Sequence, residues 1–114
     1  MSKAKPTVID LFCGCGGLSY GFIEAGYEVA LGIDHWQDAI KTFEHNHKGS
    51  KGLVADLFNE TPKEISKKTG IKKADIIIGG PPCQGFSIAG KRIVDDERNK
   101  LYKSFVSFVE FYKP

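Results

Sequence analysis

Apolar residues fall in short blocks along this chain. Thr7 to Phe12, Glu28 to Asp34, Gly52 to Asp56 and Ala74 to Ile78 are brief, mostly apolar runs bounded by glycine, proline or charged residues. That is the pattern of strands covered on both faces, as in a parallel sheet. Elsewhere the apolar positions recur at three- and four-residue steps. Leu18, Phe22, Ile23 and Ala25 predict one helical face, ended by Gly26 as a left-handed cap, and the run Trp36 to Asn46 predicts a second helix. Thr61-Pro62-Lys63-Glu64 looks like a helix start with proline at the first helical position. Leu101, Phe105, Phe108, Val109 and Tyr112 predict a helix over Arg98 to Tyr112, while Ile88 to Glu97 has no helical period and suits a mobile, lid-like segment. Strands alternating with helices predict an α/β fold with four parallel strands and flanking helices.

Two loops carry candidate chemistry. The first follows the opening strand, where Gly14, Gly16 and Gly17 lead into a helix as in a nucleotide-binding turn. Asp34 ends the second strand 18 positions after Gly16. A Rossmann-type sheet offers a carboxylate to ribose hydroxyls at a spacing of about 20. Asp34 also suits the N-cap of the following helix, and one residue can serve both ends. The glycines depart from the Gly-x-Gly-x-x-Gly pattern because Ser19 stands at the third glycine, which argues against a pyrophosphate ligand.

The second loop is Gly79-Gly80-Pro81-Pro82-Cys83-Gln84-Gly85-Phe86-Ser87. Ile76-Ile77-Ile78 delivers the backbone into it, and the two prolines fix their own φ angles and restrict the residue before each. A thiol held so at the C-terminal mouth of a strand is a candidate nucleophile, since ligands of open α/β sheets bind at that edge. The alternative is a turn followed by a small buried cysteine.

Pro82-Cys83-Gln84 in this setting resembles the catalytic motif of the cytosine-5 DNA methyltransferases. Asp10-Leu11-Phe12-Cys13-Gly14-Cys15-Gly16-Gly17 resembles that family's opening S-adenosylmethionine motif. The resemblance implies a Rossmann-like S-adenosylmethionine-dependent methyltransferase sheet, of which these are the first four strands of an incomplete domain. It implies S-adenosyl-L-methionine as cofactor, double-stranded DNA as partner, and DNA methylation of the restriction-modification kind. Cys83 would form a covalent adduct at carbon 6 of a flipped cytosine so that carbon 5 can take the methyl group.

The resemblance also implies site residues. Phe12, Gly14, Cys15, Gly16, Gly17, Pro82 and Leu101 would border the cofactor, the glycine loop holding its amino-acid part near the helix N-terminus. Asp34 would accept from the ribose, and His35, rather than Trp36, would stack on adenine. Asp56 would accept from the adenine amino group with Leu57 beside the ring. Ser87, Lys91 and Arg98 are candidates for phosphate contacts near the flipped nucleotide, and Gln84 belongs to the loop that moves.

Composition narrows the picture only slightly. The 114 residues suit one small domain, and 41% hydrophobic with 26% charged residues are ordinary globular values. A formal charge of +2 says nothing about nucleic acid, and the Lys67-Lys68 and Lys72-Lys73 pairs read as solvated faces. No apolar run approaches the roughly 20 residues of a membrane span, so an intracellular protein is expected, cytoplasmic in a bacterium. Three cysteines then stay reduced. Cys13-x-Cys15 with His45-x-His47 is too tightly spaced for a usual zinc knuckle, so no metal is expected.

The family's Glu-Asn-Val acid motif and target-recognition region do not occur in these residues. The segment is therefore expected to be the N-terminal part of one catalytic domain, inactive as an isolated chain. With a sheet edge and a helix face uncovered it should self-associate or pair with a complementary chain. Two alternatives stay open. One is a relative that methylates transfer RNA, in which Pro-Phe-Thr tends to replace Gly85-Phe86-Ser87; the other is a non-catalytic cofactor-binding fragment or split subunit.

Overall fold

The computed structural model of the chain describes residues 5–80 and 99–114, with side chains from residue 102 onward in the second segment. Its elements alternate: β1 (Thr7–Leu11), α1 (Gly17–Glu24), β2 (Glu28–Asp34), α2 (Gln37–Asn46), β3 (Lys51–Val54), α3 (Pro62–Thr69), β4 (Ile76–Gly79) and α4 (Asn99–Tyr112). All pairings are parallel and the sheet order is β3-β2-β1-β4. The chain runs outward from β1 to β3 and then crosses back to place β4 on the other side of β1. That reversal is a topological switch point, the place at which open α/β sheets offer a crevice at the C-terminal edge of their strands.

Both faces of the sheet are covered, which is why its strands read as nearly continuous apolar runs. Ile9, Leu11, Leu31 and Ile33 pack with Ile65 of α3 and with Phe108 and Tyr112 of α4. Val8 and Val29 pack on the opposite face with Ile40 and Phe43 of α2. Val29 and Leu31 share parity yet serve opposite cores. The register between β1 and β2 shifts between Val8 and Ile9, so an irregularity at that point turns the remainder of β2 over.

Local signals set the helix ends. Gly26, at φ +96°, closes α1: its N–H donates to the Ile23 carbonyl and that of Tyr27 to the Phe22 carbonyl. Thr61 caps α3 by accepting from the Glu64 N–H at 3.2 Å, Pro62 takes the first helical position, and Gly70 ends the helix at φ +74°.

Several expectations need correction. Leu18 and Ile23 do not face the sheet; they are 53% and 37% exposed, and α1 docks through fully buried Ser19 and half-buried Phe22. Periodicity ranks residues by polarity, so it passes over a buried serine. Val109 likewise lies outside the α4 contact made by Phe108 and Tyr112. Asp34 is not the N-cap of α2, which is Trp36; the Asp34 carboxylate instead accepts the Trp36 N–H two residues on. β3 ends at Val54, leaving Asp56 in the turn beyond it. The expected lid over Ile88 to Glu97 lies outside the described residues.

Candidate functional site

The C-terminal edge of the sheet carries a cavity of about 510 Å³ lined by Phe12, Asp34, His35, Ala55, Asp56, Leu57, Phe58 and Gly80. Every strand contributes its own end or the residues just after it. One contiguous sheet edge therefore collects side chains that lie far apart in the chain.

Phe12 enters this cavity with φ +56°, a left-handed backbone that costs a non-glycine residue on the order of 1 kcal/mol or more. The Cys13 N–H holds the strained corner by donating to the Ile33 carbonyl at 2.9 Å. The chain then turns through Gly14 at φ +56° and Gly16 at φ +94°, and the Gly16 N–H donates back to the Cys13 carbonyl at 3.0 Å. At Gly16 only glycine fits: a Cβ there would lie 2.4 Å from a ring carbon of His47 and 2.6 Å from one of Phe43. Gly16 is also the N-cap of α1, with no acidic residue in the helix's first turn.

Asp34 joins the two halves of the site. One carboxylate oxygen accepts the Gly14 N–H at 2.9 Å and the other the Trp36 N–H at 3.0 Å. Each oxygen has a second lone pair, so the residue keeps acceptor capacity toward the cavity. His35 is exposed and its Nδ1 lies 3.4 Å from the Asp34 carboxylate. Asp56 is exposed too, accepting from the Phe58 N–H at 2.9 Å and from Asn59 at 2.8 Å, as an aspartate-led turn does. Leu57 is buried, and Ser104 of α4 ties down its carbonyl at 2.6 Å.

Of the residues expected around a cofactor, Phe12, Asp34, His35, Asp56 and Leu57 meet in the cavity. Trp36 is not part of the lining and is 61% exposed. Gly14, Cys15, Gly16 and Gly17 form the adjoining turn and do not line the cavity itself. Cys83, Pro82, Gln84, Ser87, Lys91 and Arg98 lie outside the described residues, as does the side chain of Leu101. Ala55, Phe58 and Gly80 were missed; all directly follow or flank a motif residue, and that adjacency was the available signal.

The two cysteines of the turn differ. Cys15 is exposed, whereas Cys13 is buried and burial pushes its thiol well up, with the Asp10 and Asp34 charges adding to the effect. Cys13 is therefore an inert core residue. Among the described residues no group of three or more His, Cys, Asp or Glu side chains could hold a metal ion, and no helix is long and apolar enough to cross a membrane.

Comparison with known proteins agrees with this layout. The chain is 42% identical over 108 residues to the type II methyltransferase M.AgeI of Thalassovita gelatinovora, covering 93% of the chain and 25% of that protein. It is 43% identical over 107 residues to M.DdeI of Desulfomicrobium norvegicum, 94% of the chain and again 25% of the relative. Against M.HgiGI of Herpetosiphon aurantiacus it is 38% identical, over 93% of the chain and 82% of the relative. The chain thus spans about a quarter of the length of the first two.

Among solved structures, a DNA modification methyltransferase encoded within an E. coli prophage superposes with a TM-score of 0.79 at 39% identity, over 96% of this chain and 30% of the other. Spodoptera frugiperda DNMT2 gives 0.62 at 25% identity, over 92% and 31%. The profile of the C-5 cytosine-specific DNA methylases matches residues 6–114, and the chain belongs to that family.

Proposed function

We propose that this chain forms the N-terminal part of a single catalytic domain that methylates carbon 5 of cytosine in double-stranded DNA. Family membership supports the reading, and one observation carries it: the ends of all four strands open on a single cavity beside a glycine turn. The residues fit S-adenosylmethionine. Small-molecule sites run from roughly 300 to 1,000 Å³, lined mostly by apolar groups with a few fixed polar ones. Here Phe12, Leu57 and Phe58 supply apolar wall, and Asp34 and Asp56 supply acceptors within about 510 Å³.

Asp34 would accept from the ribose hydroxyls, His35 would lie on the adenine ring, and Asp56 would take the adenine amino group beside Leu57. Gly14, Cys15, Gly16 and Gly17 would hold the amino-acid part against the N-terminus of α1, with Phe12, Pro82 and Leu101 as further walls. When bound, the cofactor supplies an electrophilic methyl on a sulfonium. Cys83 would be the nucleophile: its thiolate adds to carbon 6 of the cytosine, which makes carbon 5 an enamine carbon able to take the methyl group; carbon 5 then gives its proton to water and the thiolate is expelled, restoring the 5,6 double bond. Extruding that base from the duplex costs a few kcal/mol, and Gln84, Ser87, Lys91 and Arg98 make the contacts that offset it.

Calorimetry of the 114-residue chain with S-adenosylmethionine tests this reading. One-site binding is expected, weakened at least about tenfold in Asp34→Ala. An absence of binding heat in the wild type would remove the cofactor site and the reading with it.

The same reading makes the isolated chain sticky. β4 is an edge strand among the described residues, and Val106, Val109 and Phe111 of α4 are about two-fifths exposed, at 39%, 38% and 43%. Either a second copy or a complementary chain carrying the remaining motifs would cover them. Light scattering should find species larger than the 12.6 kDa monomer, and a monodisperse monomer would argue that no such cover is needed.

A further inference from the structure

Asp10 is buried in the sheet, one residue before the end of β1, and is 1% exposed. It faces α1, where fully buried Ser19 donates its hydroxyl to Asp10 Oδ2 at 2.5 Å. The bond closes around the whole glycine turn, joining the strand that enters it to the third residue of the helix that leaves it. Behind the turn, His47 stacks on Phe43 with ring centres 4.5 Å apart, and its Nδ1 donates to the Phe43 carbonyl at 2.8 Å. This ring pair occupies the space beside Gly16.

From this geometry we infer that Asp10 is a positioning residue for cofactor binding, holding the glycine turn and the first turn of α1 in place through Ser19 without touching the cofactor. The inference rests on the cofactor reading of the cavity. Its support is that Asp10 is a poor choice for stability alone. Burial raises the carboxyl above the ordinary aspartate range, opposed by the Ser19 hydrogen bond and the nearby His47, with the Asp34 charge adding to the rise. A folded-state pKa above the unfolded one means the folded chain binds more protons. The contribution to stability is then full below the unfolded pKa, near 3.8, and is lost as pH rises through the folded value. At pH 8 the buried charge is therefore a cost, and a neutral amide of the same shape would relieve it. What the charge supplies is a stronger grip, since charge-assisted hydrogen bonds are about twice as strong as neutral ones.

The test compares wild type, Asp10→Asn, Ser19→Ala and the double variant of the 114-residue chain at pH 8, reading S-adenosylmethionine affinity by calorimetry and melting without ligand. Asp10→Asn keeps an oxygen that accepts from Ser19. It is expected to melt at or above the wild-type temperature while its Kd rises about fivefold. Ser19→Ala strands the carboxylate without that donor, so its melting point falls and its Kd rises about tenfold or more. The double variant should bind no more weakly than Ser19→Ala, because the two residues act as one link.

A purely structural Asp10 would lower the melting point in Asp10→Asn and leave Kd within twofold of wild type in every folded variant; that result overturns the inference alone. A wild type that does not bind overturns the cofactor reading together with it. Should Ser19→Ala fail to fold, Asp10→Asn by itself still decides between these outcomes.

Discussion

Cys83→Ser in the full-length protein is expected to abolish methyl transfer to duplex DNA, by more than about a thousandfold in kcat, with S-adenosylmethionine affinity within about twofold of wild type. Carbon 5 of cytosine is too weak a nucleophile to take the methyl unaided, so catalysis depends on a group that adds to carbon 6. A cysteine with a pKa of about 8.5 is a few per cent thiolate at neutral pH, whereas a serine hydroxyl has almost no anion to offer. Serine differs from cysteine by a single side-chain atom, and the acceptors proposed for the cofactor, Asp34 and Asp56, are elsewhere in the chain, so cofactor binding should change little. Retention of even a tenth of the rate by the serine variant would sink the covalent step. The same assay on the 114-residue chain should give no transfer, since the Glu-Asn-Val acid is absent from it. Running duplex DNA and transfer RNA side by side separates the DNA reading from the RNA one.

The fold was legible because its signals are local. Four apolar runs bounded by glycine, proline or charged residues give strands buried on both faces, and Gly26 and Pro62 mark helix ends by backbone requirements that few other residues meet. The cavity was legible by two routes: Asp34 by its spacing from the glycine turn, and Phe12, His35, Asp56 and Leu57 through the family resemblance, while the reason they meet is that residues directly following parallel strands gather at one edge. What could not be read depends on contacts between distant residues. Ser19 looks like an ordinary helix residue until Asp10 is seen beside it, and His47 looks like half of a metal pair until its ring is found on Phe43. The inward face of α1 was misassigned for that reason. Hydropathy ranks Leu18 and Ile23 above Ser19, whereas a buried carboxylate needs a hydroxyl donor.

Phe43→Ala is expected to destabilise the chain by about 3–5 kcal/mol, enough to leave much of it unfolded near 37 °C, given a typical domain stability of about 5–15 kcal/mol. Phe43 is fully buried and lies where α2 meets the sheet. Its ring presses on two glycines at once. A Cβ on Gly32 would come within 2.5 Å of it, and one on Gly16 within 2.6 Å. Removing the ring opens a cavity beneath β2 and beneath the glycine turn, so S-adenosylmethionine affinity should fall in whatever fraction stays folded. The contact also supplies an internal control. Gly32→Ala alone should cost about 1–3 kcal/mol, because the ring has no room to retreat. In the Phe43→Ala background the same methyl enters the vacated space, and its cost should shrink or change sign. Urea midpoints of the four chains close the cycle. Strict additivity, or a loss below about 1 kcal/mol for Phe43→Ala, would mean that the ring does not fill the space between α2, β2 and the glycine turn.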